Sequence, residues 1–386
     1  MSALLPERHP QMACRAAGRP DKMGPMRRRT FLAATAAAAA SPLLTAAPRA
    51  LAAGAPTVLG AATERGLTDA MNAYGDTGGR WSGADGAYSL PTDYGTLWLF
   101  SDTIMGTVAK DGSRPWTSPF IHNSIIVDRG GVLTTLTGGT VAAPRSLFAP
   151  EGAVEGQRWY WLGDATAQGR RLDVILYEFF RTGNGVFDFA YRGCAVGTAD
   201  LATGQIVQVT PRAVVGVHWG AAIMELGDWL FIYGVDDQVW RKFLHVAVAP
   251  KGALADARQW RYWTGSAWSN DEAASRAVVE GVGNEFSVMP FRGEYWLVSS
   301  DAREPLSAKI QLIRADRPQG PFSSPTLLGR TPESGGNLFT YSSKAHPQYC
   351  TNDSLLVSYC VNSTQVADVY ADVHNYRPRF VRVRLG

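Results

Sequence analysis

The sequence predicts an all-β protein built as a five-bladed β-propeller, and three observations point to it. Helical periodicity is almost absent from the main body of the chain. Short runs of aromatic and β-branched residues, bounded by Gly, Asp, Asn or Pro, recur instead. Five of these runs resemble one another and are regularly spaced, as expected of sheets repeated around a ring.

The five runs are Gly95 to Asp102, Gln157 to Asp164, Gly227 to Gly234, Gly293 to Asp301 and Asn352 to Tyr359. Each is a turn followed by an aromatic-rich strand. Aligned on Trp98, Tyr160, Leu230, Trp296 and Leu356, they step by 62, 70, 66 and 60 residues. That interval suits one four-stranded unit and its loops. A second strand precedes several runs, as in Gly86 to Leu90 and Phe286 to Pro290, which makes each unit an antiparallel hairpin extended outward. The last run, Arg379 to Leu385, is expected to pair with Thr57 to Gly60 and close the ring. Two β-sandwiches are the competing architecture, disfavoured by the single repeat family. Asn270-Asp271-Glu272 carries a helix-start signal and reads as a surface excursion.

The first 52 residues read differently. Arg27-Arg28-Arg29-Thr30-Phe31-Leu32 precedes an alanine-rich stretch that runs to Leu44, with Ala50-Leu51-Ala52 as a small-residue cleavage site. This is the layout of a twin-arginine export signal, with an over-long start before Met23 and Met26. Residues 53–386 are then a single propeller domain, secreted folded by the twin-arginine translocase. The whole chain has 37 basic and 34 acidic residues, a net charge of +3. Eight of the basic and two of the acidic residues lie in the leader, leaving 29 against 32 in the mature chain. The positive balance therefore argues for an export address, not for nucleic-acid binding. No other run is apolar enough to span a bilayer, so the mature form is expected off the membrane. Three cysteines remain (Cys194, Cys350 and Cys360), which permits at most one disulfide.

Candidate chemistry concentrates in the first repeat. Its hairpin turns at Asp93-Tyr94, so positions 85 and 102 stand opposite each other and place Asp85 and Asp102 on one face. Neighbouring carboxyls split their pKa values, leaving one acid beside one carboxylate, the division of labour that glycoside hydrolysis requires. Both residues also suit structural roles, Asp85 in a turn cap and Asp102 at a strand end. The same alignment puts Glu151, His218, Trp219, Glu285, Lys344 and His346 on inner strands, where carboxylates, cations and indoles would contact sugar hydroxyls and C–H faces. Trp81 and Trp116, in Gly-, Ser- and Pro-rich stretches, read as stacking platforms. The six histidines lack metal-ligand spacing, and neither a phosphate-binding loop nor a nucleophile elbow is present, so no metal or cofactor is expected.

Ser82-Gly83-Ala84-Asp85-Gly86, Leu97-Trp98-Leu99-Phe100-Ser101-Asp102-Thr103, His122-Asn123-Ser124, Asn284-Glu285-Phe286-Ser287-Val288 and Tyr341-Ser342-Ser343-Lys344-Ala345-His346-Pro347 occur in this order. Together they resemble secreted five-bladed propellers first catalogued as a domain of unknown function, some of them endo-D-arabinanases acting on bacterial cell-wall arabinan. The resemblance implies an inverting glycoside hydrolase with Asp85 and Asp102 as base and acid, in either order. It also adds His122 and Asn123 to the substrate-binding candidates. Two rival readings remain at this stage: a non-catalytic carbohydrate-binding propeller, and a glycosidase whose acid is Glu285 on another blade.

Overall fold

Among the described residues, five antiparallel sheets of four or more strands follow one another along the chain as meanders, the fifth completed by a strand from the start of the domain. The computed structural model describes residues 54–77, 80–185, 188–212 and 216–386. The twin-arginine segment lies outside the described residues. Counted in chain order, the inner strands of the five blades are Trp81–Thr92, Arg158–Gln168, Val217–Leu226, Phe286–Phe291 and Leu338–Ala345. Each packs against the inner strand of the next blade, the fifth against the first, so the ring closes. Together they line a central channel of about 360 Å³.

Closure is made by pairing the two ends of the domain. Blade five takes its inner strands from Leu338–Ala345, Ser354–Ser363 and Pro378–Leu385, and its outermost strand, Val58–Thr63, from the start of the domain. The pairing expected between the two ends forms, Val58 with Leu385 and Thr63 with Val381, and the first strand extends past Gly60 to Thr63. The apolar faces of neighbouring sheets meet in layers. Leu97, Leu99 and Val127 of blade one pack on Leu162, Val174 and Leu176 of blade two, and Trp296 and Val298 of blade four on Leu355 and Val357 of blade five. The aromatic-rich runs are these packing faces, since a large ring fills the wedge between sheets that diverge outward.

Two features differ from the sequence reading. Gln157 to Asp164 is not the second strand of its repeat. It begins the inner strand of blade two, whose second strand is Arg171–Arg181. The aromatic triplet Trp159-Tyr160-Trp161 gives the inner strand the appearance of a second one, because it faces blade one across the site described below. An unforeseen helix, Arg65–Thr77, buries Thr68, Met71 and Gly75 at helical spacing. The excursion at Asn270 is a single helical turn, Glu272–Ala274, which Asp271 caps by accepting from the Ala273 N–H.

The seam between blades five and one is fastened by Arg377, whose side chain has no solvent exposure. Its Nε donates to the Ser82 carbonyl at 2.8 Å, and its Nη2 lies 2.9 Å from Asp76 Oδ1 on the helix. Arg377→Ala leaves the Ser82 carbonyl with only the longer bond from Arg114 Nη2 at 3.4 Å and removes the ion pair of the half-exposed Asp76. Urea unfolding should report a loss of about 2 kcal/mol, the contribution of a buried hydrogen bond from a charged donor. A change below 0.5 kcal/mol would mean that the seam is held by apolar packing alone.

Candidate active site

Antiparallel alternation puts the end of each second strand, and the loop after it, on one face of the ring, beside the start of the inner strands. Asp85 lies near the start of the inner strand of blade one and Asp102 near the end of its second strand, Gly95–Met105, so both reach this face. The hairpin turns at Asp93-Tyr94, with Thr92 paired to Gly95. Near the site the ladder is irregular. Between the pairs Ala84 with Thr103 and Gly86 with Phe100, one residue, Asp85, faces two, Ser101 and Asp102. A bulge of this kind re-aims side chains. It depends on left-handed backbone at Gly86 (φ +92°) and Ala87 (φ +57°), a conformation in which a Cβ is costly.

Asp85 and Asp102 line one cleft of about 390 Å³. Its walls are Phe120, Trp161, Phe189, Phe339 and Tyr370, with Asn362 and Ser363 as polar groups at the blade-five side. Asp85 Oδ2 accepts from Tyr341 Oη at 2.7 Å and from Tyr376 Oη at 3.1 Å, while its Oδ1 is buried with no partner. Burial, then the nearby Asp102 charge, push the Asp85 carboxyl well above the usual carboxylate range, against the pull of the two phenols; Glu285 adds a smaller push. Burial and the Asp85 charge also raise both phenols, which keeps them donors.

Asp102 is held from the opposite side. Its Oδ1 accepts from Trp161 Nε1 at 2.6 Å and lies 2.7 Å from His122 Nδ1. His122 is itself fixed by a stack on Trp159, with centroids 4.4 Å apart and planes 16° from parallel. Trp159 and Trp161 alternate on the inner strand of blade two and so share a face. Ser101 ties the two blades together here, its Oγ accepting from the Leu162 N–H at 3.0 Å.

Residues 69–385 match a family model described as a domain of unknown function, DUF5005. The chain belongs to the DUF5005 family. No curated protein matches it. Among solved structures it is similar to a candidate hydrolase from Bacteroides ovatus, at 18% identity and a TM-score of 0.68, over 84% of this chain and 90% of that one. It also matches the GH43_1 enzyme from Xanthomonas citri complexed with xylose, at 14% identity and a TM-score of 0.44, over 79% and 88%. A third match is a GH43 β-xylosidase/α-arabinofuranosidase from a compost metagenome in complex with xylotriose, at 12% identity and a TM-score of 0.43, over 85% and 95%.

In this DUF5005 propeller the sequence candidates separate into three groups. Asp85 and Asp102 are in the cleft, and His122 buttresses Asp102 from behind. Glu285, Lys344 and His346 lie beneath it. Lys344 Nζ bonds Glu285 Oε2 at 2.8 Å, the Ser342 carbonyl at 2.9 Å and the Gly86 carbonyl, and sits 4.3 Å from the centroid of the Tyr88 ring. That clamp steadies the left-handed backbone next to Asp85, buries the Lys344 ammonium and holds Glu285 by one carboxylate oxygen. His346 bonds Ser89 Oγ at 2.6 Å and Ser358 Oγ at 2.8 Å, and burial lowers it to about 3, so it is a neutral strut and not a substrate contact.

The remaining candidates are corrected. Trp81 is 0% exposed and packs on Tyr74 and Phe100, so it cannot stack on a ligand. Asn123 is buried, donating to the Phe148 and Tyr160 carbonyls and accepting from the Phe148 N–H; it joins blades one and two. Glu151 sits exposed in a turn before blade two, because the strand used to place it is itself the inner strand. His218 lies against Tyr191, with centroids 3.8 Å apart, and burial lowers it to about 4. Trp219 is 1% exposed, with Nε1 bonded to Glu272 at 2.7 Å. Trp116, by contrast, is 66% exposed and stacks on Tyr370 of the cleft wall at 4.4 Å. Trp161, Tyr341 and Tyr376 were missed. Only the fact that Tyr341 opens the matching motif Tyr341-Ser342-Ser343-Lys344 pointed to any of them.

The raised Asp85 carboxyl has a consequence for stability. Between the unfolded aspartate value of about 3.9 and the higher folded value, the native state holds a proton that the unfolded state has lost, so stability falls as pH rises through that window. Asp85→Asn should therefore be more stable than wild type at pH 7 and should show a smaller decline, the remainder coming from Asp164, which burial raises to about 7. Thermal unfolding of both proteins from pH 4 to pH 8 tests it. A decline as steep in the variant as in wild type would mean that Asp85 is not held above its ordinary range.

Proposed function

We propose that this DUF5005 protein is an exported glycoside hydrolase that cleaves a furanose polysaccharide, of the arabinan type found in bacterial cell walls, by two-carboxylate acid/base catalysis. One observation carries the reading. Each carboxyl has one oxygen tied by protein donors, Oδ2 of Asp85 and Oδ1 of Asp102, and among the described residues none donates to the other oxygen. The aromatic walls suit the C–H faces of sugar rings, and Asn362 and Ser363 suit their hydroxyls.

The field at the site supports a definite order of roles. Asp85, pressed toward its neutral form, is the general acid: the proton on Oδ1 passes to the glycosidic oxygen as the bond to the anomeric carbon breaks. Asp102 is the general base. Its Oδ2 takes a proton from the water that attacks the same carbon from the opposite face, which inverts the configuration. His122 and Trp161 stop Asp102 from turning away. Furanose specificity and export rest on the sequence resemblance and the twin-arginine segment.

Incubation with mycobacterial-type arabinogalactan should release reducing ends. Asp85→Asn and Asp102→Asn should each lower the rate by roughly 10²- to 10⁴-fold. Undiminished release by either variant would overturn the pair. Tyr341→Phe separates the roles. It removes a donor that stabilises the Asp85 carboxylate, so the Asp85 pKa rises further. As acid, Asp85 sets the alkaline limb of kcat/KM, and that limb should move to higher pH. Movement of the acid limb instead would make Asp85 the base.

A further inference from the structure

A second groove, of about 530 Å³, opens beside the cleft on the same face, over blades three, four and five. Tyr341, which holds Asp85, lines both. At the groove's rim the loop between Trp229–Asp237 and Lys242–Pro250 carries Trp240, 76% exposed, and Val239, 71% exposed. Leu306, on the loop after the second strand of blade four, is 60% exposed and lines the groove too. Core packing accounts for none of the three.

Their backbone is also costly. Val239 has φ +67° and Leu306 φ +50°, left-handed values that a β-branched or bulky residue rarely adopts. The loop is nevertheless built to hold that shape. Asp237 bonds the Val239 N–H at 2.9 Å, Lys242 Nζ at 2.5 Å and Asn284 Nδ2 at 2.9 Å, and the Gln238 N–H donates to the Arg241 carbonyl at 2.9 Å. An indole held outward by a constrained loop, above a floor that includes Lys242 and Asn284, pairs a stacking face with hydroxyl partners.

We propose that this groove binds further sugar units of the glycan whose scissile bond lies between Asp85 and Asp102, with Trp240 as the stacking platform. The proposal rests on the hydrolase reading above and deepens it by assigning the groove. The occupant is the same polymer because the groove adjoins the cleft at Tyr341, which lines both.

The test uses the mature protein and arabinogalactan. In affinity electrophoresis through gels containing arabinogalactan, performed in the Asp102→Asn background, Trp240→Ala should weaken retention roughly three- to tenfold, and Trp240→Phe should restore part of it. Unchanged retention by Trp240→Ala overturns the groove, whether or not the protein releases reducing ends. Weakened retention with no release of ends by wild type upholds the groove as a glycan site and removes the hydrolase reading instead.

Discussion

Everything at the site depends on closure of the ring. Blade five is completed by a strand from the other end of the domain, and this holds its inner strand and the loop 364–377 against blade one. The two donors to Asp85 come from those elements, 256 and 291 residues away in sequence. Gly83 shows how close the approach is. A Cβ at that position would lie 2.2 Å from the Tyr376 carbonyl oxygen, which only glycine avoids. With the ring open, Asp85 would sit in water with an ordinary carboxyl. The perturbed acid is thus a property of the seam and not of the hairpin that carries it.

The same geometry explains why the two aspartates, near neighbours across one hairpin, are not equivalent. Asp102 is met by a histidine and an indole N–H from the side of blade two, while Asp85 is met by phenols within a desolvated pocket. Phenol donors stabilise the charged form, yet burial outweighs them for Asp85, and the charges of Asp102 and Glu285 add to the upward push. Glu285 acts at a distance because Lys344 keeps it in place. Lys344 also caps the Gly86 carbonyl, so one cation serves both the electrostatics and the backbone shape of the pair.

Much of this architecture was legible in the sequence because it follows from local rules. The turn at Asp93-Tyr94, the pairing of Arg379 to Leu385 with the start of the domain, and the meeting of Asp85 with Asp102 all come from antiparallel register. What escaped lies where register says nothing. An aromatic strand looks alike whether it is innermost or second, so repeat two was displaced by one strand and Glu151 was placed wrongly. Loop composition marked Trp81 as a platform and the inner-strand alignment marked Trp219 as a contact, yet both are buried in packing, because indoles serve packing and recognition equally well. Tyr341 and Tyr376 reach Asp85 only through closure, which no spacing near residue 85 reveals. The helix Arg65–Thr77 was legible in Thr68, Met71 and Gly75, and the strand-dominated pattern around it hid it.

The division between strands and loops also bears on how such a site changes its substrate. The floor of the cleft, with Asp85, Asp102, Trp161 and Tyr341, is borne on the innermost and second strands of the blades, while Trp116, Trp240, Leu306 and Tyr370 stand on the connections that follow second strands. Loops can vary in length without moving the carboxyls. Tyr376 breaks this separation. It lies in the last short helical segment of the blade-five loop, Val373–Tyr376, yet it donates to Asp85. The same loop carries Tyr370 and Val369 of the cleft wall. A change in that loop would therefore also alter the balance of burial and hydrogen bonding that holds the Asp85 carboxyl above its ordinary range. The shape of the cleft wall and the Asp85 carboxyl are coupled through one loop, whereas the loops of blades three and four can reshape the second groove without that coupling.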